Sequence, residues 1–181
     1  MQIVLLNGSP RRKGNTRIAL NQIISGIQTN IPSSGFEFVD VANLHLMGCT
    51  NCEACKTNGG VCIHEDDSAD LMEKIAAGDL IIFGTPVYWW GISAQLKLAI
   101  DKFHSRTELF QTQHKRVGLV VIGASSVPDF QYQLICEQFE CICEYLGWEI
   151  IFEESISAFA EGEVSNNAKV MERLWELWTI L

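Results

Sequence analysis

Five short apolar runs, each followed by a segment of helical periodicity, constrain this chain more than any other feature. Ile3–Leu6, Phe36–Val41, Leu80–Phe83, Val117–Ile122 and Glu149–Glu153 have the length and apolar content of buried strands. The segments between them are amphipathic. Leu20, Ile23, Ile24 and Ile27 recur at i, i+3, i+4 and i+7, and comparable stripes run through Leu71–Ala76, Leu96–Phe103, Ile135–Leu146 and Val170–Trp178. Gly78 and Gly147 stand where the second and fourth of these stripes end. Alternation of this kind predicts a parallel sheet covered by helices on both faces, and right-handed crossovers make it an α/β doubly wound sandwich. At 181 residues the whole chain, 1–181, is expected to be one domain able to bury its own core.

Ligands of such sheets bind beyond the carboxyl ends of the strands, where the strand order reverses. Three loops are expected to leave those ends: residues 7–16, 84–92 and 123–130. The first, Gly8-Ser9-Pro10-Arg11-Arg12-Lys13-Gly14-Asn15-Thr16, joins a strand to a helix start. A helix start offers unpaired N–H groups and the positive end of the dipole. Ser9, Asn15 and Thr16 can add side-chain donors, and Arg11 a guanidinium fork. The set suits one phosphate monoester, and equally a capped surface loop. It carries neither the Gly-x-Gly-x-x-Gly of a dinucleotide fold nor the Gly-Lys-Ser/Thr of a nucleoside triphosphate loop.

The second loop runs Pro86-Val87-Tyr88-Trp89-Trp90-Gly91. Three adjacent aromatics cannot all enter a core, so they offer a face to a planar heterocycle, or to a helix or subunit contact. In the third loop, Gly123 and Ala124 can supply N–H donors or simply turn the chain. Trp175 and Trp178 in the terminal helix suit packing on the sheet or a subunit contact.

The formal net charge is −9, which disfavours a nucleic-acid backbone or an anionic membrane surface. Arg11-Arg12-Lys13 is enough for one phosphate and too little for a duplex. No apolar run reaches the length of a membrane span. The first residues read as a strand rather than a secretion signal, so the expected location is the cytosol.

Cys49, Cys52, Cys55 and Cys62 lie in a loop at 45–65 with the spacing C-x2-C-x2-C-x6-C. Two consecutive x2 gaps bring three thiols round a small volume, and a fourth can close it, as in a [4Fe–4S] loop. Structural zinc prefers two separated pairs. A cluster, zinc and free thiols all remain open. Cys136 and Cys143 fall near the apolar stripe of a helix and read as core, with Cys141 beside them.

The chain resembles the NADPH-dependent FMN reductase family. Asn7-Gly8-Ser9-Pro10-Arg11 through Gly14-Asn15-Thr16 is similar to its phosphate loop, and Pro86–Gly91 with Ser93–Lys97 and Asp101-Lys102 to its flavin loop and following helix. Gly48-Cys49 to Asp66-Asp67 resembles the insert of a subgroup that includes iron–sulfur flavoproteins. The resemblance implies a flavodoxin-like five-stranded sheet of order 2-1-3-4-5, noncovalent FMN, NADPH or NADH as reductant, and a homodimer or homotetramer. It implies a small acceptor such as a flavin, quinone or nitro compound, or a redox protein. Carried over, Ser9, Arg11, Asn15 and Thr16 would hold the FMN phosphate. Pro86, Val87, Tyr88, Trp89 and Gly91 would line the isoalloxazine, with Gly123 and Ala124 at its other edge. Cys49, Cys52, Cys55 and Cys62 would be ligands where a cluster is present. The chemistry belongs to flavin N5, so no side chain is required as acid or base, and His45, His64, His104 and His114 read as surface or packing residues. Three functions stay in view: an FMN oxidoreductase, an electron-transfer iron–sulfur flavoprotein, and a binding protein that keeps the fold without turnover.

Overall fold

The computed structural model describes residues 1–181. Five parallel strands, β1 (Gln2–Asn7), β2 (Gly35–Asp40), β3 (Leu80–Pro86), β4 (Arg116–Gly123) and β5 (Glu149–Ser157), form one sheet in the order β2-β1-β3-β4-β5. This is the order expected. Helices α1 (Asn15–Asn30), α2 (Ser68–Ala77), α3 (Ala94–Asp101), α4 (Thr107–Gln111), α5 (Phe130–Leu146) and α6 (Ala168–Glu176) make the crossovers and the C-terminal cover.

Side-chain alternation along each strand sorts the core into two layers. Val4 and Leu6 of β1 point to one face, where α2, α3 and α5 contribute Leu71, Ile75, Leu96, Ile135 and Phe139. Ile3 and Leu5 point to the other, where α1 and α6 contribute Leu20, Ile23, Ile27, Val170 and Leu174. The chain leaves β1 toward β2 and leaves β3 toward β4, so β1 and β3 are neighbours from which the connections diverge. That divergence opens a cleft at their carboxyl ends.

The boundaries differ from expectation in two informative places. β3 does not stop at Phe83 but pairs with β4 through Pro86↔Ile122, and β5 continues four residues past Glu153 to Ser157. Both extensions carry strand geometry to the rim where the loops begin. Gly147, at φ 70°, ends α5 as a left-handed cap. Trp178 packs at the edge of the α1/α6 layer. No helix is long and apolar enough to cross a membrane.

Candidate functional site

The first loop is shaped by polar groups from its own strand. Asn7 is buried; its side chain donates to Asp40 Oδ1 at 2.8 Å and accepts the Ser9 N–H at 3.2 Å. The Ser9 hydroxyl accepts the Arg11 N–H at 3.3 Å, and the Gly14 N–H donates to Arg11 O at 3.1 Å. This folds the loop back on itself, and a Cβ on Gly14 would lie 2.9 Å from Arg11 Cβ. Gly14 sits at the N-cap of α1, and no side chain caps the helix. The first helical bond is donated by Ile18 to Gly14 O at 3.2 Å, so the preceding N–H groups have no helical acceptor.

The second loop is stitched to the first. Gly8 N–H donates to Gly84 O at 2.8 Å, and the buried Ser93 hydroxyl donates to Gly8 O at 2.6 Å while accepting the Leu96 N–H that caps α3. A Cβ on Gly8 would stand 2.9 Å from Leu96 Cβ and 3.0 Å from Gly84 O, so only glycine permits this approach. Two more backbone bonds continue across the rim: Val87 N–H to Ile122 O at 2.7 Å, and Ala158 N–H to Gly123 O at 2.8 Å.

These bonds bring the loops round one pocket of about 180 Å³. Ser9, Arg11, Gly14, Asn15 and Thr16 line one side, and Pro86, Val87 and Tyr88 another. Ile122, Gly123 and Ala124, with Ala158 and Phe159, complete it. No acidic residue lines the pocket. Ser9 and Thr16 are buried, whereas the Arg11 side chain reaches from an exposed position.

Nine of the eleven residues singled out from the sequence share this pocket; Trp89 and Gly91 do not line it. Tyr88 and Gly91 exchange backbone bonds, 2.9 Å for Tyr88 N–H to Gly91 O and 3.1 Å for the reverse, making Trp89-Trp90 the tip of a two-residue turn. Trp89 and Trp90 have φ of 49° and 61°. Left-handed geometry at both central positions is the pattern of a type I′ turn, which favours Asn-Gly. Two tryptophans there are strained, and Trp89 is 92% exposed. Asn15 also differs from expectation. Its side chain is committed to Ala160 O at 2.8 Å and to the Val164 N–H at 3.2 Å, leaving its backbone N–H for a ligand.

Phe159 was missed by sequence reasoning. It follows β5, whose end was placed too early, and its N–H and that of Ala160 both donate to Glu163 Oε2 at 2.7 Å. That side-chain acceptor, four residues on, is a signal the sequence does carry.

The cysteine loop forms a second centre. Cys49, Cys52, Cys55 and Cys62 are free thiols lining one cleft with His64, Lys102 and His104. No three thiol, carboxylate or imidazole groups stand close enough together to hold a metal ion. The loop is closed at its neck by Asp66 and Asp67, whose carboxylates accept the Met47 N–H at 2.8 Å and the His45 N–H at 2.6 Å. It is docked on the turn after α3: Lys56 donates to His104 O at 2.8 Å, and Glu53 meets His104 at 3.1 Å. Lys102 and Asp66 form a buried ion pair at 2.8 Å, side chains 1% and 0% exposed. Burial pushes the Asp66 carboxyl up, but hydrogen bonds from Lys102, Ser68 and Met47 outweigh it and hold it well below the usual carboxylate range. Burial likewise pulls Lys102 down, and Asp66 and Cys62 outweigh it and raise it. As donors the four thiols suit an iron–sulfur cluster, since all face one cleft that also holds a buried cation. Cys136 and Cys143 are different: burial, with Glu153 nearby, pushes their thiols up to about 11 and about 12, which keeps them protonated.

Comparison with known proteins agrees with this layout. A family model described as NADPH-dependent FMN reductase matches residues 1–138. An iron–sulfur flavoprotein of Methanocaldococcus jannaschii is 39% identical over 130 residues, 69% of this chain and 63% of that protein. A Bacillus subtilis protein named as an NAD(P)H-dependent FMN-containing oxidoreductase is 26% identical over 155 residues, 81% of this chain and 80% of the relative. Several of the matched iron–sulfur flavoproteins are covered over only about half their length, from 45% to 50%. Among solved structures, the NAD(P)H:quinone oxidoreductase from Methanothermobacter marburgensis superposes with a TM-score of 0.73 at 17% identity, covering 98% of this chain and 95% of the other.

Proposed function

Because the chain belongs to the NADPH-dependent FMN reductase family, we propose that it holds FMN in the rim pocket and passes electrons from NADPH or NADH to a small acceptor such as a flavin, quinone or nitro compound. One observation carries this reading: the first loop is bonded through Gly8 to Gly84 and Ser93, on either side of the Pro86–Tyr88 segment, and the two stretches, distant in sequence, line the same pocket. Bound there, FMN would supply the hydride- and electron-transfer chemistry, which the protein itself does not provide.

The chain's own residues bind and orient. The uncapped start of α1, with the Ser9 and Thr16 hydroxyls and the Arg11 guanidinium, takes the phosphate. Pro86, Val87 and Tyr88, with the backbone at Gly123 and Ala124, line the rest of the pocket and would hold the ring. The pocket is smaller than the roughly 300 Å³ lower end of ligand sites. FMN would therefore project past the rim, where Trp89, Trp90 and Phe159 are exposed. A second copy of the chain meeting that rim, in a homodimer or homotetramer, would exclude water from the ring and relieve the exposed aromatic surface.

The test is anaerobic titration of the FMN-loaded protein with NADPH and NADH. Bleaching of the flavin absorbance without a mediator is the expected result. A protein that retains no flavin after reconstitution would defeat the proposal.

A second reading is favoured by the four free thiols on one cleft. Here the chain is an iron–sulfur flavoprotein in which FMN and a [4Fe–4S] cluster exchange electrons with a redox partner. Cys49, Cys52, Cys55 and Cys62 would be the ligands, drawn inward from their present positions. Iron and sulfide at about four per chain, the composition of one such cluster, would establish it.

A further inference from the structure

We propose that Lys102 is the fixed counter-cation of the cysteine cleft, donating to the Cys62 sulfur of a bound cluster and stabilising the cluster's reduced state. The inference rests on the cluster reading above and adds a positioning and tuning role to a residue outside the thiol ligands.

Four observations support it. A lysine is almost never fully buried without a partner, and this one is 1% exposed. Its ammonium makes two side-chain contacts: Asp66 Oδ2 at 2.8 Å and Cys62 Sγ at 3.4 Å. Asp66 is itself fixed by the Met47 and Ser68 N–H groups, at 2.8 and 3.0 Å, so it aims the lysine and is not free to follow it. No other lysine or arginine lines the cleft, and Lys56 is turned away to the His104 carbonyl.

The electrostatics follow from this placement. A cluster on four thiolates is anionic, and taking up one electron adds a further negative charge. A cation held against one ligand sulfur, away from water, favours the more negative state and raises the reduction potential. Hydrogen bonds to cluster sulfurs act in the same direction. Asp66 opposes the effect, but it stands behind the ammonium, which is the group touching the sulfur.

The experiment uses the full-length, FMN-loaded protein, reconstituted anaerobically with ferrous iron and sulfide. Iron and sulfide content are measured, and the cluster midpoint potential is read by EPR-monitored titration. Lys102→Met should shift the midpoint to more negative values, and Lys102→Arg should restore it toward wild type. Should Lys102→Met fail to load, the double variant Lys102→Met/Asp66→Asn provides the second arm: it removes the cation without leaving a buried unpaired carboxylate, so the midpoint should again shift to more negative values. A purely structural pair predicts loss of iron in both variants with no shift in the clusters that do form, and that result would overturn the proposal. A wild-type protein that takes up no iron would overturn both this inference and the cluster reading, while leaving FMN binding intact.

Discussion

The rim pocket and the cysteine loop are held by different forces. The pocket is a product of the sheet. Its walls leave parallel strands, and the backbone bonds Gly8–Gly84, Val87–Ile122 and Ala158–Gly123 join neighbouring walls at the rim. The cysteine loop hangs between β2 and α2 and owes its place to side-chain charge: Asp66 and Asp67 at its neck, Lys102 beneath it, and Glu53, Lys56 and Arg106 along its docked edge. A site framed by backbone bonds and apolar layers should resist changes that loosen one framed by ion pairs. The first gains little from any single side chain, and the second depends on a few.

The largest break in that comparison should come from Lys102→Met. Removing one member of a buried pair leaves the other charged and unpaired, at about 3–5 kcal/mol. The expected result is lost amide-exchange protection across residues 45–67, with β1 and β3 protected as before. Equal loss in both regions would mean the loop and the sheet unfold as one unit.

Next in size is the phosphate contact. Arg11→Ala should weaken FMN binding by roughly tenfold to a hundredfold, the worth of a charged hydrogen bond of about 1.5–3 kcal/mol. Riboflavin affinity, measured by fluorescence quenching, should barely change. Comparable losses for both ligands would place the phosphate elsewhere.

Acid should separate the regions as well. Asp66 has a folded-state pKa below its unfolded value, so its contribution to stability is complete above about pH 4, near the unfolded aspartate value. That contribution fades as pH falls toward the depressed folded value. Limited proteolysis below pH 4 should cut within 45–67 before it cuts the strands. For Lys102 the sign reverses: its raised folded pKa gives stability that is complete below the unfolded lysine value and lost only as pH climbs through the folded one.

The smallest effect concerns the strained turn. Replacing Trp89-Trp90 by Asn-Gly should stabilise the isolated chain by about 1–2 kcal/mol, since left-handed geometry costs a bulky residue that order of energy. Thermal melting would show it. A drop in melting temperature would mean the tryptophans make contacts worth more than their strain.

How much of this was legible in advance follows the same division. The parallel sheet with its two covered faces follows from apolar periodicity, and the three rim loops from where doubly wound sheets place ligands; the strand order, and the assignment of residues in those loops to a cofactor, come through the family resemblance. The misplacements have local causes. Gly84 reads as a strand terminator, yet β3 runs through it because β4 supplies Val120, Val121 and Ile122 as partners, which only the register reveals. Trp89 reads as a ring-stacking residue because three aromatics adjoin; the Tyr88–Gly91 bonds put it at a turn tip, outside the pocket lining. The pairing of Lys102 with Asp66 across 36 positions has no periodic signature, since one charge finding another through space leaves no repeat in the chain.

Asn15 opens α1 beside the phosphate loop, yet its amide clasps Ala160 and Val164, beyond the stretch matched by the family model. The clasp sets the wall carrying Phe159 in register with the anion cradle from the opposite end of the polypeptide. A fragment ending at residue 138 would keep the cradle but lose that wall together with β5. Exchanging residues 158–164 between relatives would therefore reshape the mouth of the pocket, with the first loop left untouched so long as position 15 finds its two backbone partners.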